Sequence, residues 1–378
     1  MDINTIILGI LSIGVVIGGT DYCLGNKFSL GQEFENGLKT FGPLALSMLG
    51  IMSLAPVICT IIRPAIVPLL RFIGADPSMA ASFLAVDMGG YPVAKSLALT
   101  PTSAAFSGLI VASMLGATLV FSIPVALNIV RREDHPFLLK GLLAGLITIP
   151  LGAVIGGAAA GFPAKELLLN SVPLVVLSLG IVLALSFYAD RAMRAAAYLG
   201  KGIIVVSTVG LILAAVQLLT GVTLVSNMRP LATGIKVVGV ISIVLMGAFP
   251  LMKLATIKAD RLLGKAGTKL GINSASTAGL LASTVNNIPM LHTFERMDDR
   301  GKVLNSAFMV SGAFLIGDHL GFVASVDRAM IGYVLLAKIT AALLSMPIAL
   351  LLARQSEVHA TPRIMTSADQ LSEEEAAS

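Results

Sequence analysis

A chain of 378 residues that is 56% hydrophobic and only 12% charged carries more apolar surface than a soluble core can hide, so it is an integral membrane protein. Its net charge of +5 is modest and gathers in short stretches between apolar runs, a pattern that speaks of membrane topology and excludes a nucleic-acid partner. Two cysteines, Cys23 and Cys59, with no CxxC spacing, support neither a disulfide framework nor a metal cluster.

Taken in order, the apolar runs are 5–19, 42–62, 103–130, 137–160, 167–188, 202–222, 233–255, 303–326 and 329–353. With their flanks they approach the roughly 20 residues that cross a bilayer core of about 30 Å. Their hydrophobicity is continuous, not alternating, which predicts helices and not barrel strands. No cleavable signal is expected, because the first run follows Met-Asp-Ile-Asn without a basic start. A polar loop over 21–39 holds Asp21, Lys27, Glu33 and Glu35, and a short helix is expected over 65–74, after Arg63-Pro64. Residues 190–201 form a basic connector, a basic helix is expected over 258–269, and 354–378 reads as a disordered, cytoplasmic tail.

Two stretches break the apolar pattern, 73–98 and 270–294. Asp76 falls on Asn273 and Pro92 on Pro289, both at an offset of 197, and residues 113–121 fall on 314–322 at an offset of 201. The fold class is therefore an all-α polytopic membrane protein of about nine to eleven transmembrane segments in two structural repeats. If both broken stretches cross, eleven spans give parallel halves. If both are re-entrant, nine spans give inverted halves and leave most basic residues on one side, which the positive-inside rule favours. The expected organisation is a first repeat over 1–166 with the re-entrant element 73–98, and a connecting helix and basic linker over 167–201. A second repeat follows over 202–353, with the re-entrant element 270–294.

Three polar insertions interrupt the spans. Asp87 precedes Gly89-Gly90 and Pro92, which unwind a helix and free carbonyls; a carboxylate in an apolar stretch marks a functional position unless it pairs with Lys95 or a helix end. At the repeat-related position Asn286-Asn287 supplies two amides that can hold a hydroxyl or an ammonium group, or can cap the backbone freed by Pro289. Asp318-His319, between glycines, adds a second carboxylate and an imidazole, read either as site lining or as a pair that locks the bundle with Lys338. Phe83, Tyr91, Phe121, Phe314 and Phe322 lie within or beside these insertions, where rings can face an ammonium group or simply pack. There is no GxSxG, Walker or HExxH pattern, and the histidines are dispersed at His135, His292, His319 and His359, so the reading is not an enzyme.

The segments FENGLKTFGPLALSMLGIMSLAPV, VDMGGYPVAKSLA, VFSIPVAL, STVNNIPML, MDDRGKVLNSAF and GDHLGF together resemble the ethanolamine permease family, ethanolamine utilisation protein H (EutH). The resemblance implies a bacterial inner-membrane facilitator for ethanolamine, with positions Asp21, Glu35, Asp87, Asn286, Asn287, Asp318 and His319 matching the family pattern. Tyr91 stands where Phe is usual, and the loop over 221–236 is shorter than the family's. The expected substrate-binding set is Asp87, Gly89, Gly90, Tyr91, Asn286, Asn287, Asp318 and His319. No cofactor, metal or nucleic acid is expected; the partners are ethanolamine, the lipid bilayer and, by analogy with other bundles, a homodimer. The alternatives are a sodium- or proton-coupled symporter using the same carboxylates, and an intramembrane enzyme using Asp318-His319 as an acid/base pair.

Overall fold

The computed structural model describes residues 3–359 except 84–87 and 89; the side chains of residues 83, 258–263, 266 and 355–359 also lie outside the description. Among the described residues the structure is helical, with no strand. Helix α1 is Ile3–Cys23, α2 Leu30–Lys39 and α3 Phe41–Phe72. The first broken stretch holds α4, Met79–Phe83, and α5, Gly90–Leu97. The next crossing starts as α6, Pro101–Ala105, is π-helical over Phe106–Gly116 and Thr118–Ser122, and ends as α7, Ile123–Ile129. Helices α8, His135–Ala159, α9, Ala164–Phe187, and α10, Ala189–Thr220, lead to α11, Leu231–Leu270. The second broken stretch holds α12, Ser274–Ser283, and α13, Asn287–His292. The chain then forms α14, Asp299–Gly312, α15, Asp318–Val326, and α16, Ile331–His359.

Eight helical stretches among the described residues are long and apolar enough to cross a membrane. Residues 299–326 cover a ninth such length in two pieces. Four boundaries differ from the sequence-based reading, the first being the polar loop expected over 21–39, which holds the end of α1 and the whole of α2. Helix α3 runs unbroken through Arg63-Pro64, with Pro56, Pro64 and Pro68 all inside it, as membrane helices tolerate. The basic stretch 190–201 is not a connector but the start of α10, and the basic helix expected over 258–269 is the end of α11 and not a helix of its own. Residues 303–326 are not one span; Ala313 turns extended and Phe314 adopts φ 57°, which ends α14.

Each broken stretch closes on itself at its base. In the first, the Asp76 carboxylate accepts from the backbone N–H of Ser78 (2.8 Å) and of Leu99 (3.0 Å). In the second, Asn273 accepts from Ser276 N–H (2.8 Å) and donates its amide to the Arg296 carbonyl (2.9 Å). Start and finish are therefore in contact, and the two bonded pairs, 76 with 99 and 273 with 296, are related by the same offset of 197. The stretches are helical hairpins.

The repeat continues into the packing. Ser107 Oγ donates to the Ser78 carbonyl, and Asn305, at an offset of 198, donates to the Ser276 carbonyl (2.8 Å). Helix α1 crosses α11 at Gly14 and Gly247, while α3 crosses α10 at Gly50 and Gly210; a Cβ at any of the four would run into the backbone of the facing helix. Small residues that let backbones approach are how helices associate without a hydrophobic driving force between them. The core is formed around the π-helical crossing, where Phe106, Leu109, Ile110, Met114 and Leu115 are all buried.

Candidate functional site

The second hairpin breaks where α12 ends and Pro289 cannot donate a hydrogen bond. Asn286 is extended there (φ −157°, ψ 140°), and its side-chain oxygen caps α13 by accepting from Ile288 N–H at 2.8 Å. Asn287, the first residue of α13, is fully buried. Its Nδ2 donates to Ser122 Oγ of the first half at 2.9 Å, and its Oδ1 has no partner among the described residues.

The break between α14 and α15 lies against the hairpin break. Phe314 N–H donates to the Ser283 carbonyl (3.0 Å) and Ile316 N–H to the Thr284 carbonyl (2.9 Å), so each irregular segment satisfies backbone groups of the other. Gly317 is required at this contact, since a Cβ would strike the Val285 carbonyl. Irregular backbone at membrane depth is tolerated only where protein or water covers it.

Helix α15 begins at Asp318, half-buried, whose carboxylate accepts from His319 N–H at 3.2 Å. The His319 ring is buried, 4.9 Å from the ring of Phe314, which in turn meets Phe121 edge-on at 5.4 Å. His319 Nδ1 lies 3.1 Å from Lys338 Nζ of α16, and that ammonium donates to the Ser113 carbonyl of the π-helical crossing at 2.7 Å. Half-buried Tyr91 and buried Gly90, from the first hairpin, face the π-helical crossing near Gly108 and Ala112, and Tyr91 meets Phe322 of α15 edge-on at 6.4 Å.

The structure thus joins Asn287, Asp318 and His319 through two interlocked breaks and sets Asn286 to capping. Asp87 and Gly89 lie outside the described residues. Sequence reasoning missed Ser113, Ser122 and the π-helical crossing. One signal for Ser122 was available: Ser122-Ile123-Pro124 repeats the pattern of Asn287-Ile288-Pro289, and the two leading residues bond to each other. Among the described residues no group of three or more His, Cys, Asp or Glu side chains is arranged to hold a metal ion.

A separate cavity of about 230 Å³ opens at the base of the first hairpin, lined by Arg71, Asp76, Thr100, Ser103, Glu166 and Asn170. Glu166 accepts there from the hydroxyls of Thr100 (3.0 Å), Thr102 (2.6 Å) and Ser103 (3.2 Å), and Asn170 accepts from Asp76 N–H (2.8 Å). This cavity lies beside the base of the first hairpin, apart from the polar centre around Asn287 and His319.

Two hairpins closed at their bases, an interrupted helix before Asp318, and buried polar groups between long apolar helices are features of a multi-pass membrane protein of the transporter class. The family described as "Ethanolamine utilisation protein, EutH" matches residues 3–352, and the chain belongs to that family. It is 43% identical over 356 residues to the probable ethanolamine permease EutH of Listeria monocytogenes, covering 94% of this chain and 95% of that one. It is 36% identical over 400 residues to the probable ethanolamine permease EutH of Escherichia coli, covering 96% and 98%. The uncharacterized protein YxeR of Bacillus subtilis is 42% identical over 344 residues, covering 90% and 92%. No solved structure matches the chain. The family is one of permeases in the bacterial plasma membrane, a role that points away from an enzyme.

Proposed function

We propose that this chain carries ethanolamine into the bacterial cell, with the amine in its ammonium form, through a site where the second hairpin's break meets the break before α15. The observation that carries this reading is Asn287: a fully buried amide, held on one side by Ser122, with an acceptor oxygen left open among the described residues at the meeting of two chain breaks. Such an acceptor costs roughly 1–3 kcal/mol, a cost that a hydrogen-bond donor on a ligand removes. Protonated ethanolamine carries donors at both ends, one on the hydroxyl and three on the ammonium. Asp318 supplies negative charge for the ammonium, Asn287 Oδ1 accepts from the hydroxyl, and Asp87 is the second carboxylate on sequence grounds. The names of the relatives, probable ethanolamine permeases, support the same substrate.

The halves are inverted in this reading. Five long helical segments, at 101–129, 132–159, 164–187, 189–220 and 231–257, separate the hairpins, so the hairpins open on opposite faces. The face that holds Arg131-Arg132, the start of α10, the end of α11 and the end of α16 is the basic one, hence cytoplasmic, and the tail lies there too. The cavity beside Glu166 is then the outer mouth.

Uptake of labelled ethanolamine into proteoliposomes tests the reading. Asn287→Ala and Asp318→Asn are each expected to cut uptake at least about tenfold, the equivalent of one lost buried hydrogen bond or charge contact. Wild-type rates in both folded variants would remove the site, and wild-type protein that passes no ethanolamine in either direction would remove the function.

A further inference from the structure

Between Arg328 and Arg354 the last helix carries a single charged residue, Lys338, ten positions from one end and sixteen from the other. Its side chain is 1% exposed. The ammonium sits 2.7 Å from the Ser113 carbonyl and 3.1 Å from His319 Nδ1. An ammonium has donors only, so the imidazole nitrogen accepts. Burying such a group is costly unless acceptors and negative charge surround it, and the carboxylate next in line is that of Asp318, which precedes His319 in the chain. The contacts come from both halves and from α16, at the polar centre itself.

A primary ammonium is also what the substrate carries. The protein therefore already holds, inside the site assigned to ethanolamine, a copy of the substrate's charged end on a tether. We propose that Lys338 is the resident counter-cation of the substrate site: its ammonium balances the site when no substrate is bound, and the incoming ammonium displaces it. Two ammonium groups in reach of the same acceptors repel strongly in a medium of low dielectric, so the two states exclude one another. The charge of Asp318 then needs no inorganic cation to balance it, and binding proceeds without sodium or potassium. This inference rests on the ethanolamine reading and goes further in naming what fills the site before the substrate arrives.

The test is ethanolamine binding to the purified full-length protein, by calorimetry, in sodium chloride and in a sucrose buffer free of sodium and potassium, for wild type and Lys338→Met. Wild type is expected to bind equally in both buffers. Lys338→Met, checked for folding by its elution profile, is expected to bind about tenfold more tightly, as a site relieved of a competitor that occupies it some nine-tenths of the time, and to show a lower maximal uptake rate. A sodium requirement in the wild type overturns the proposal, and so does unchanged or weaker binding by folded Lys338→Met. Should that variant fail to fold, the wild-type comparison of buffers decides alone. Wild-type protein that binds no ethanolamine at all overturns this proposal together with the functional reading, whereas wild-type binding with an unaltered Lys338→Met overturns the counter-cation alone.

Discussion

In the first hairpin a carboxylate, Asp76, receives the N–H of Leu99; in the second an amide, Asn273, offers its hydrogen to the carbonyl of Arg296. The positions correspond and the bond polarity is reversed. Beyond the base the hairpins part further. The finish of the first is held by Glu166, which collects three hydroxyls, while the finish of the second is held by ion pairs, Lys302 with Asp134 at 2.6 Å and Arg131 with Glu295. The crossing that follows is π-helical and unbroken in one half and split at 313–317 in the other. The two hairpins share a backbone frame, and the polar side chains that close their bases and finishes differ. The proposed site is accordingly single and asymmetric, with Ser122 of one half set against Asn287 of the other.

The largest effect that separates the hairpins is expected at their finishing clamps. Lys302 and Asp134 have side chains only 11% and 7% exposed, so Lys302→Met leaves a buried carboxylate uncompensated, at a cost of about 3–5 kcal/mol. Thermal unfolding in detergent should show that fall, and the double variant Lys302→Met/Asp134→Leu should regain most of it. Glu166→Gln in the first hairpin should cost less, because an amide oxygen still accepts from hydroxyls. The opposite ranking would mean that the hydroxyl clamp, and not the ion pair, is the stronger hold.

The hairpin bases predict the next effect. Asp76→Asn sets a second donor against Leu99 N–H at a buried carboxylate, costing about 1–3 kcal/mol. Asn273→Asp sets a second acceptor against the Arg296 carbonyl at an exposed base, where water offsets part of the loss and the cost is smaller. If either exchange were neutral in the same unfolding assay, the reversed polarity would be incidental to how that base is closed.

Much of this frame is legible in the sequence. The offset of 197 that aligns Asp76 with Asn273 marks the bases of both hairpins, and Gly89-Gly90, Pro92 and Pro289 mark stretches no membrane helix crosses intact. That Asn287 and Asp318-His319 are polar groups set within the spans is equally plain, since polar residues stand out in apolar runs. What the sequence hides is what geometry alone decides. Asn286 and Asn287 are adjacent and chemically identical, yet one caps its own helix and the other reaches across the repeat to Ser122. A serine in an apolar helix, such as Ser122, usually bonds its own preceding turn, so only the facing Asn287 reveals its role. The π-helical register, which rotates Ser113 and Ser122 away from where a 3.6-residue period would set them, leaves no mark in composition.

Ser122 also gives the finest test of asymmetry. At the offset of 201 its counterpart in the second half is Val323, which can offer no hydrogen bond to the first hairpin, just as Ile288 replaces Tyr91 at the offset of 197. Ser122→Ala removes the acceptor for Asn287 Nδ2 and frees the amide to turn, so the KM for ethanolamine uptake should rise about three- to tenfold with the maximal rate little changed. Ser122→Thr keeps the hydroxyl and should restore most of the affinity. Val323→Ala should leave KM unchanged. Equal shifts from Ser122→Ala and Val323→Ala would mean that both hairpins bind substrate alike, because only a site read from the second hairpin depends on the one hydroxyl that reaches it from the other half.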